Sequence, residues 1–154
     1  MSHTFELEIV IPDRLVVRGR VEETEIPGRN GYLGILPGHA PLITELAISE
    51  VSYRENGESP YLAVAWGFAE VLPNQVIILA ETAGRAEQID MRRAEEAKKC
   101  AEQRLKSNNP SIDCARAQRA LTRAATRLKV AGRQEVPFTS TKPRASAHDQ
   151  ARTV

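Results

Sequence analysis

Four arginines, Arg116, Arg119, Arg123 and Arg127, stand three, four and four residues apart. On a helix this spacing gathers them within an arc of about 80°. A solvated helix face ordinarily mixes signs at i, i+4, as Glu95–Lys99 and Glu102–Lys106 do upstream. Four like charges on one stripe repel each other, so the pattern points to an anionic partner. An acidic protein surface and a polyphosphate ligand suit it equally. A competing reading is a nucleic-acid-associated module that uses the stripe, although no aromatics are interleaved for base stacking.

The residues that could do catalysis are poorly arranged for it. His3, His39 and His148 are far apart in the chain. His39, within Gly38-His39-Ala40-Pro41, has no acid, nucleophile or metal ligand patterned around it. Its expected role is a hydrogen bond to the loop backbone or contact with a partner. Cys100 and Cys114 lack a His-rich companion segment, which argues against zinc. Neither Gly-x-Ser-x-Gly nor Gly-x-x-x-x-Gly-Lys-Ser/Thr occurs. Gly28, Gly31 and Gly34 have the stride of a phosphate cradle, but Pro37 and Pro41 indicate loop and strand where a helix should begin. Turn geometry is the expected reason for those glycines. No catalytic residue, no metal site and no resident cofactor is expected.

The 154 residues suit one domain, or a domain with an appendage. No apolar run approaches the ~20 residues that span a bilayer, and the N-terminus lacks the pattern of a secretory signal. Two cysteines fit a reducing compartment, so a soluble, intracellular protein is expected. The net charge of +1 conceals an asymmetry: −6 over residues 1–86, +5 over 87–131 and +2 over 132–154. Two modules with separate partners follow from that division.

The elements that must position these residues divide the same way. Phe5, Leu7, Ile9 and Ile11 alternate with Glu6, Glu8 and Val10, the period of a half-buried strand. Further short strands are expected at 15–18, 21–26, 32–36, 42–46, 48–54, 61–66, 68–72 and 76–81, a density that suggests a β-sandwich or barrel. The period then changes to 3.6. Asp90 is placed to cap a helix with Met91, Ala94, Ala97, Ala101 and Leu105 on one side. Pro110 breaks it, and a second helix follows near Asp113 with Cys114, Ala117, Leu121, Ala124 and Leu128 on its seam. The fold class is therefore α+β multidomain: an all-β sandwich (1–86), an antiparallel α-helical hairpin (87–131) and a disordered tail (132–154). Alanine dominates the hairpin seam, and a buried methyl contributes far less than the 1.5–3 kcal/mol of a buried leucine. Such a hairpin depends on docking against something else.

The run Pro27-Gly28 through Gly31, Gly34 and Pro37-Gly-His-Ala-Pro-Leu42 resembles the signature of epsilon subunits of the F-type ATP synthase. Gly67-Phe-Ala-Glu-Val71 and Ile89-Asp-Met-Arg-Arg-Ala94 extend the resemblance over roughly residues 4–131. It implies a β-sandwich docked to the gamma subunit and to the polar loops of the c-ring, with Tyr32 and His39 on the ring-facing loop. It also implies a mobile hairpin whose Arg116, Arg119, Arg123 and Arg127 reach an acidic loop of the catalytic beta subunits and inhibit ATP hydrolysis. Asp90, Arg93, Arg123 and Arg127 match the polar groups that bind ATP as a regulatory ligand in some members. Cys100 stands where strong ATP binders carry arginine, and Ala65-Trp66-Gly67 stands where glycine pairs are common. The implied location is peripheral, on the cytoplasmic face of the bacterial inner membrane.

Overall fold

The computed structural model describes residues 3–107 and 109–135, with side chains of 134 and 135 excepted. Eight strands precede two helices: β1 (Phe5–Ile11), β2 (Arg14–Val21), β3 (Glu23–Gly28), β4 (Gly31–Ile35), β5 (Leu42–Leu46), β6 (Ser49–Arg54), β7 (Tyr61–Leu72), β8 (Gln75–Arg85), α1 (Met91–Lys106) and α2 (Cys114–Glu135). The alternation in β1 sends Phe5, Leu7 and Ile9 into the core. It leaves Glu6 and Glu8 outside, each 3.3 Å from Arg18 on β2. The strand order is β2-β1-β8-β7-β5-β3-β4, with β6 paired to β3 and β7. Among the described strands, only β1 and β8 run parallel.

One long strand turns this path into a sandwich. Tyr61–Trp66 and Phe68–Leu72, expected as two strands, are the halves of a single β7. Tyr61–Val64 pairs with β6, Gly67–Val71 pairs with β5, and β8 follows both halves in constant register. At the junction the backbone passes through φ 46° at Trp66 and 147° at Gly67. The chain bends there without leaving its ladder, so the halves serve the two layers. A Cβ on Gly67 would lie 1.8 Å from the Leu79 carbonyl oxygen, which leaves room only for hydrogen. The core between the layers draws on every strand, including Ile26, Ile35, Val51, Leu62, Val71 and Ile78.

Both helix starts follow from their caps. The Asp90 carboxylate accepts from the Arg93 backbone N–H at 3.2 Å, and Asp113 accepts from that of Arg116 at 3.2 Å. The hairpin seam is thin, with Ala94 and Ala101 of α1 and Ala117 and Ala124 of α2 buried. Met91, Ala97 and Cys114, expected on the seam, are exposed. The half-buried Lys98 and Leu105 show that the α1 seam follows 94, 98, 101 and 105 instead. α2 lies against β6, β7 and β8 and carries α1 on its other side. It continues to Glu135, four residues beyond the expected boundary at 131. Residues 136–154, the rest of the expected disordered tail, lie outside the described residues.

Candidate functional site

The contact between α2 and the sandwich engages two of the four arginines of the stripe. The guanidinium of Arg123 lies 5.4 Å from the centroid of the Trp66 ring, and that of Arg119 lies 6.0 Å from it. Both distances are within reach of a cation–π attraction. Towards the end of the helix, Arg133 donates from Nε and Nη2 to the two carboxylate oxygens of Glu50, at 2.8 and 2.6 Å. Lys129 Nζ adds a contact at 3.5 Å, and the Tyr61 ring lies 4.2 Å from the Arg133 guanidinium. Glu50 is only 8% exposed. Burial pushes its pKa up, but the hydrogen bonds and charges of Arg133 and Lys129 outweigh this and hold it below the ordinary value. The Glu50 hydrogen bond correspondingly raises the pKa of Arg133. Beside this cluster, the Tyr32 hydroxyl hydrogen-bonds that of Ser49.

The stripe is therefore not one continuous basic face in this arrangement. Arg116 is exposed, Arg119 and Arg123 face Trp66, and Arg127 is half-buried elsewhere.

Arg127 lines a cavity of about 240 Å³ between the sandwich, the linker and the hairpin. Asp90 and Arg93 line it as well, together with Arg14 of β2 and the backbone around Gly84 and Ile89. Three of the four residues matched to nucleotide binding thus meet, whereas Arg123 points to Trp66. Burial lowers the pKa of Arg127, and the charges of Arg123 and Arg93 lower it further. Like charges crowded around a half-buried guanidinium favour an anion. The sequence reading missed Arg14, which lies 76 positions before Asp90 and follows an ordinary strand turn. Cys100 is exposed on α1 and does not line this cavity.

The loop expected to face a partner is open. Tyr32 is 47% exposed, at the turn where Gly31 adopts φ 132°. His39 Nδ1 lies 2.7 Å from the Ala40 carbonyl oxygen, the expected bond to the loop backbone. Gly34 has ordinary φ and open space around it, so turn geometry accounts for Gly31 and Gly38 but not for Gly34. A second surface escaped the sequence reading. Phe68 and Leu79 pair across β7 and β8 and are 57% and 54% exposed; Ile43 on β5 is 72% exposed. The signal in the sequence was partial: in the second half of β7 the face opposite the buried Ala69 and Val71 carries Phe68 and Leu72, interrupted by Glu70. No helix among the described residues is long and apolar enough to cross a membrane.

Comparison with known proteins gives one consistent answer. The family model for the ATP synthase Delta/Epsilon chain beta-sandwich domain matches residues 4–86, and that for the long alpha-helix domain matches residues 87–132. The ATP synthase epsilon chain of Koribacter versatilis is 66% identical over 110 residues, covering 71% of this chain and 78% of the relative. That of Nitratidesulfovibrio vulgaris is 47% identical over 132 residues, covering 86% and 98%. A chain in a mitochondrial ATP synthase structure from Euglena gracilis superposes with a TM-score of 0.74 at 22% identity, covering 85% of this chain and 82% of its own, which supports the fold.

Proposed function

We propose a function from one premise: the chain belongs to the Delta/Epsilon family of ATP synthase chains, as an epsilon subunit. It is a non-catalytic subunit of the central stalk. In our reading the sandwich joins the gamma subunit to the c-ring, with the Tyr32–His39 loop towards the polar loops of the ring. The subunit sits peripherally on the cytoplasmic face of the bacterial inner membrane. Its hairpin brakes ATP hydrolysis when Arg116, Arg119, Arg123 and Arg127 grip an acidic loop of the catalytic beta subunits.

The observation that carries the brake is the docked α2, whose Arg119 and Arg123 rest on an aromatic face and not on carboxylates. Exposed cation–π contacts contribute about 0.5–1 kcal/mol, so an acidic partner can compete for these groups. Exposed ion pairs contribute about 0–1 kcal/mol each, which makes single Arg→Ala changes mild and the quadruple change strong. The test is hydrolysis by the assembled catalytic head, with intact or quadruple-variant chain, across a salt series. Inhibition that weakens with salt and disappears in the variant supports the brake. Equal, salt-insensitive inhibition refutes it.

ATP fits this reading as a regulatory ligand in the cavity of Asp90, Arg93 and Arg127, with Arg14 as a further phosphate partner and Arg123 set aside. The cavity exists only while sandwich, linker and hairpin are together, so a bound anion would stabilise docking by mass action and release the brake. Calorimetry should show Arg14→Gln and Arg127→Gln each weakening ATP binding about tenfold or more, the loss of a charge-assisted hydrogen bond. Unchanged binding in both would remove the cavity from the account.

A further inference from the structure

Trp66 holds a backbone conformation, φ 46°, that bulky residues avoid. Such a strained position persists only where its surroundings require it, and within the ladder the pairing requires only the bend. Glycine would satisfy the bend without strain. What the indole adds lies outside the sandwich. Arg119 and Arg123, one helical turn apart on α2, both bring their guanidinium groups to its ring.

A second contact holds the other end of the same helix. Glu50 on β6 receives two hydrogen bonds from Arg133 and a contact from Lys129, above the ring of Tyr61 on β7. A carboxylate buried to this degree is strongly unfavourable without its cationic partners. The Ala-rich seam between α1 and α2 offers little apolar burial, and Val130 and Ala131 are the further buried apolar residues of α2 among those described, so polar contacts carry much of its docking.

We propose that Trp66 and Glu50 form a two-point latch that holds α2 on the sandwich and engages Arg119 and Arg123 on the indole while it is closed. The strain belongs to the sandwich and the gain belongs to docking, so one substitution separates them. Trp66→Gly relieves the backbone and removes the ring face. Glu50→Gln and Arg133→Gln open the other point, and Arg133→Gln touches no residue of the sandwich core. The latch is a property of the isolated chain and does not depend on whether the released arginines inhibit hydrolysis.

The experiment is hydrogen exchange of the full-length chain, read by mass spectrometry, for wild type and these three variants. We expect amides of α2 to exchange about tenfold faster or more in each variant. Amides of β1 and β8 should keep at least their wild-type protection. Arg119→Gln with Arg123→Gln should add nothing in the Trp66→Gly background, since their partner is already absent. Trp66 is the single tryptophan, so acrylamide quenching of its emission gives a second readout, which should rise in Glu50→Gln. Wild-type α2 protection in Trp66→Gly and Glu50→Gln would overturn the latch. So would a loss of protection that always includes β1 and β8, because the contacts would then serve the folding of the sandwich itself.

Discussion

At Gly67 the fold depends on the absence of one carbon. Its φ of 147° and the Leu79 carbonyl oxygen 1.8 Å from any added Cβ act together. Gly67→Ala should therefore destabilise the chain by about 3 kcal/mol or more, through backbone strain and a clash with an immovable ladder. Gly34→Ala is the matched control, since Gly34 has ordinary φ and nothing within 4 Å. It should be neutral or stabilise by up to about 1 kcal/mol. Urea midpoints of the two variants check this, and equal midpoints would show that the bend in β7 tolerates a side chain. The two glycines look alike in the sequence. Backbone conformation and space distinguish them: Gly67 has φ 147° with the Leu79 backbone against it, whereas Gly34, paired with Glu25, has ordinary φ and open space.

Among the elements, α2 carries the pH dependence of docking. Arg133 and Lys129 contact Glu50, with Tyr61 and Tyr32 beside Arg133, and the two cations depress the Glu50 pKa below the ordinary value despite burial. Undocking removes those partners and returns the carboxyl towards about 4.3. A carboxylate depressed in the docked state contributes its full stabilisation above the undocked pKa and loses it as pH falls through the docked one. Docking should accordingly be flat from about pH 6 to 8 and weaken below about pH 4. Trp66 quenching against pH measures it, with Glu50→Gln lacking the acid limb. An acid limb of equal size in both proteins would assign the effect to other carboxylates. The helix starts were legible, because Asp90 and Asp113 cap through residues three positions on, whereas the end of α2 was not. The face that α2 presents was not, since four arginines on one stripe look equivalent until Trp66 receives two of them.

For the whole molecule, the exposed Ile43, Phe68 and Leu79, with Glu45 and Glu70 between them, are the surface that assembly is expected to cover. Exposed large apolar side chains gathered on a sheet face commonly mark an interaction site. Each large side chain buried on assembly contributes about 1.5–3 kcal/mol. Phe68→Ser combined with Ile43→Ser should leave the unfolding midpoint of the free chain almost unchanged, because both residues are more than half exposed. The same pair should reduce recovery of the chain in the assembled synthase by about tenfold or more, as measured by quantitative co-purification. Full recovery would place the assembly surface elsewhere on the sandwich.

What the sequence determined by itself was local. Alternation over Phe5–Ile11 specified a strand, the change to a 3.6 period specified helices, and glycine and proline placed the turns. Each of these depends on residues a few positions apart, whose relative directions the backbone period already sets. The motifs also carried the family, since it is written in contiguous runs. Tertiary structure decided the rest. It fused two expected strands into β7, brought Arg14 to Asp90, Arg93 and Arg127, and diverted Arg123 to Trp66. It also joined Glu50 to Arg133 across 83 positions. Which charges meet depends on which faces pack and at what angle, a property of the folded layers that no spacing along the chain encodes.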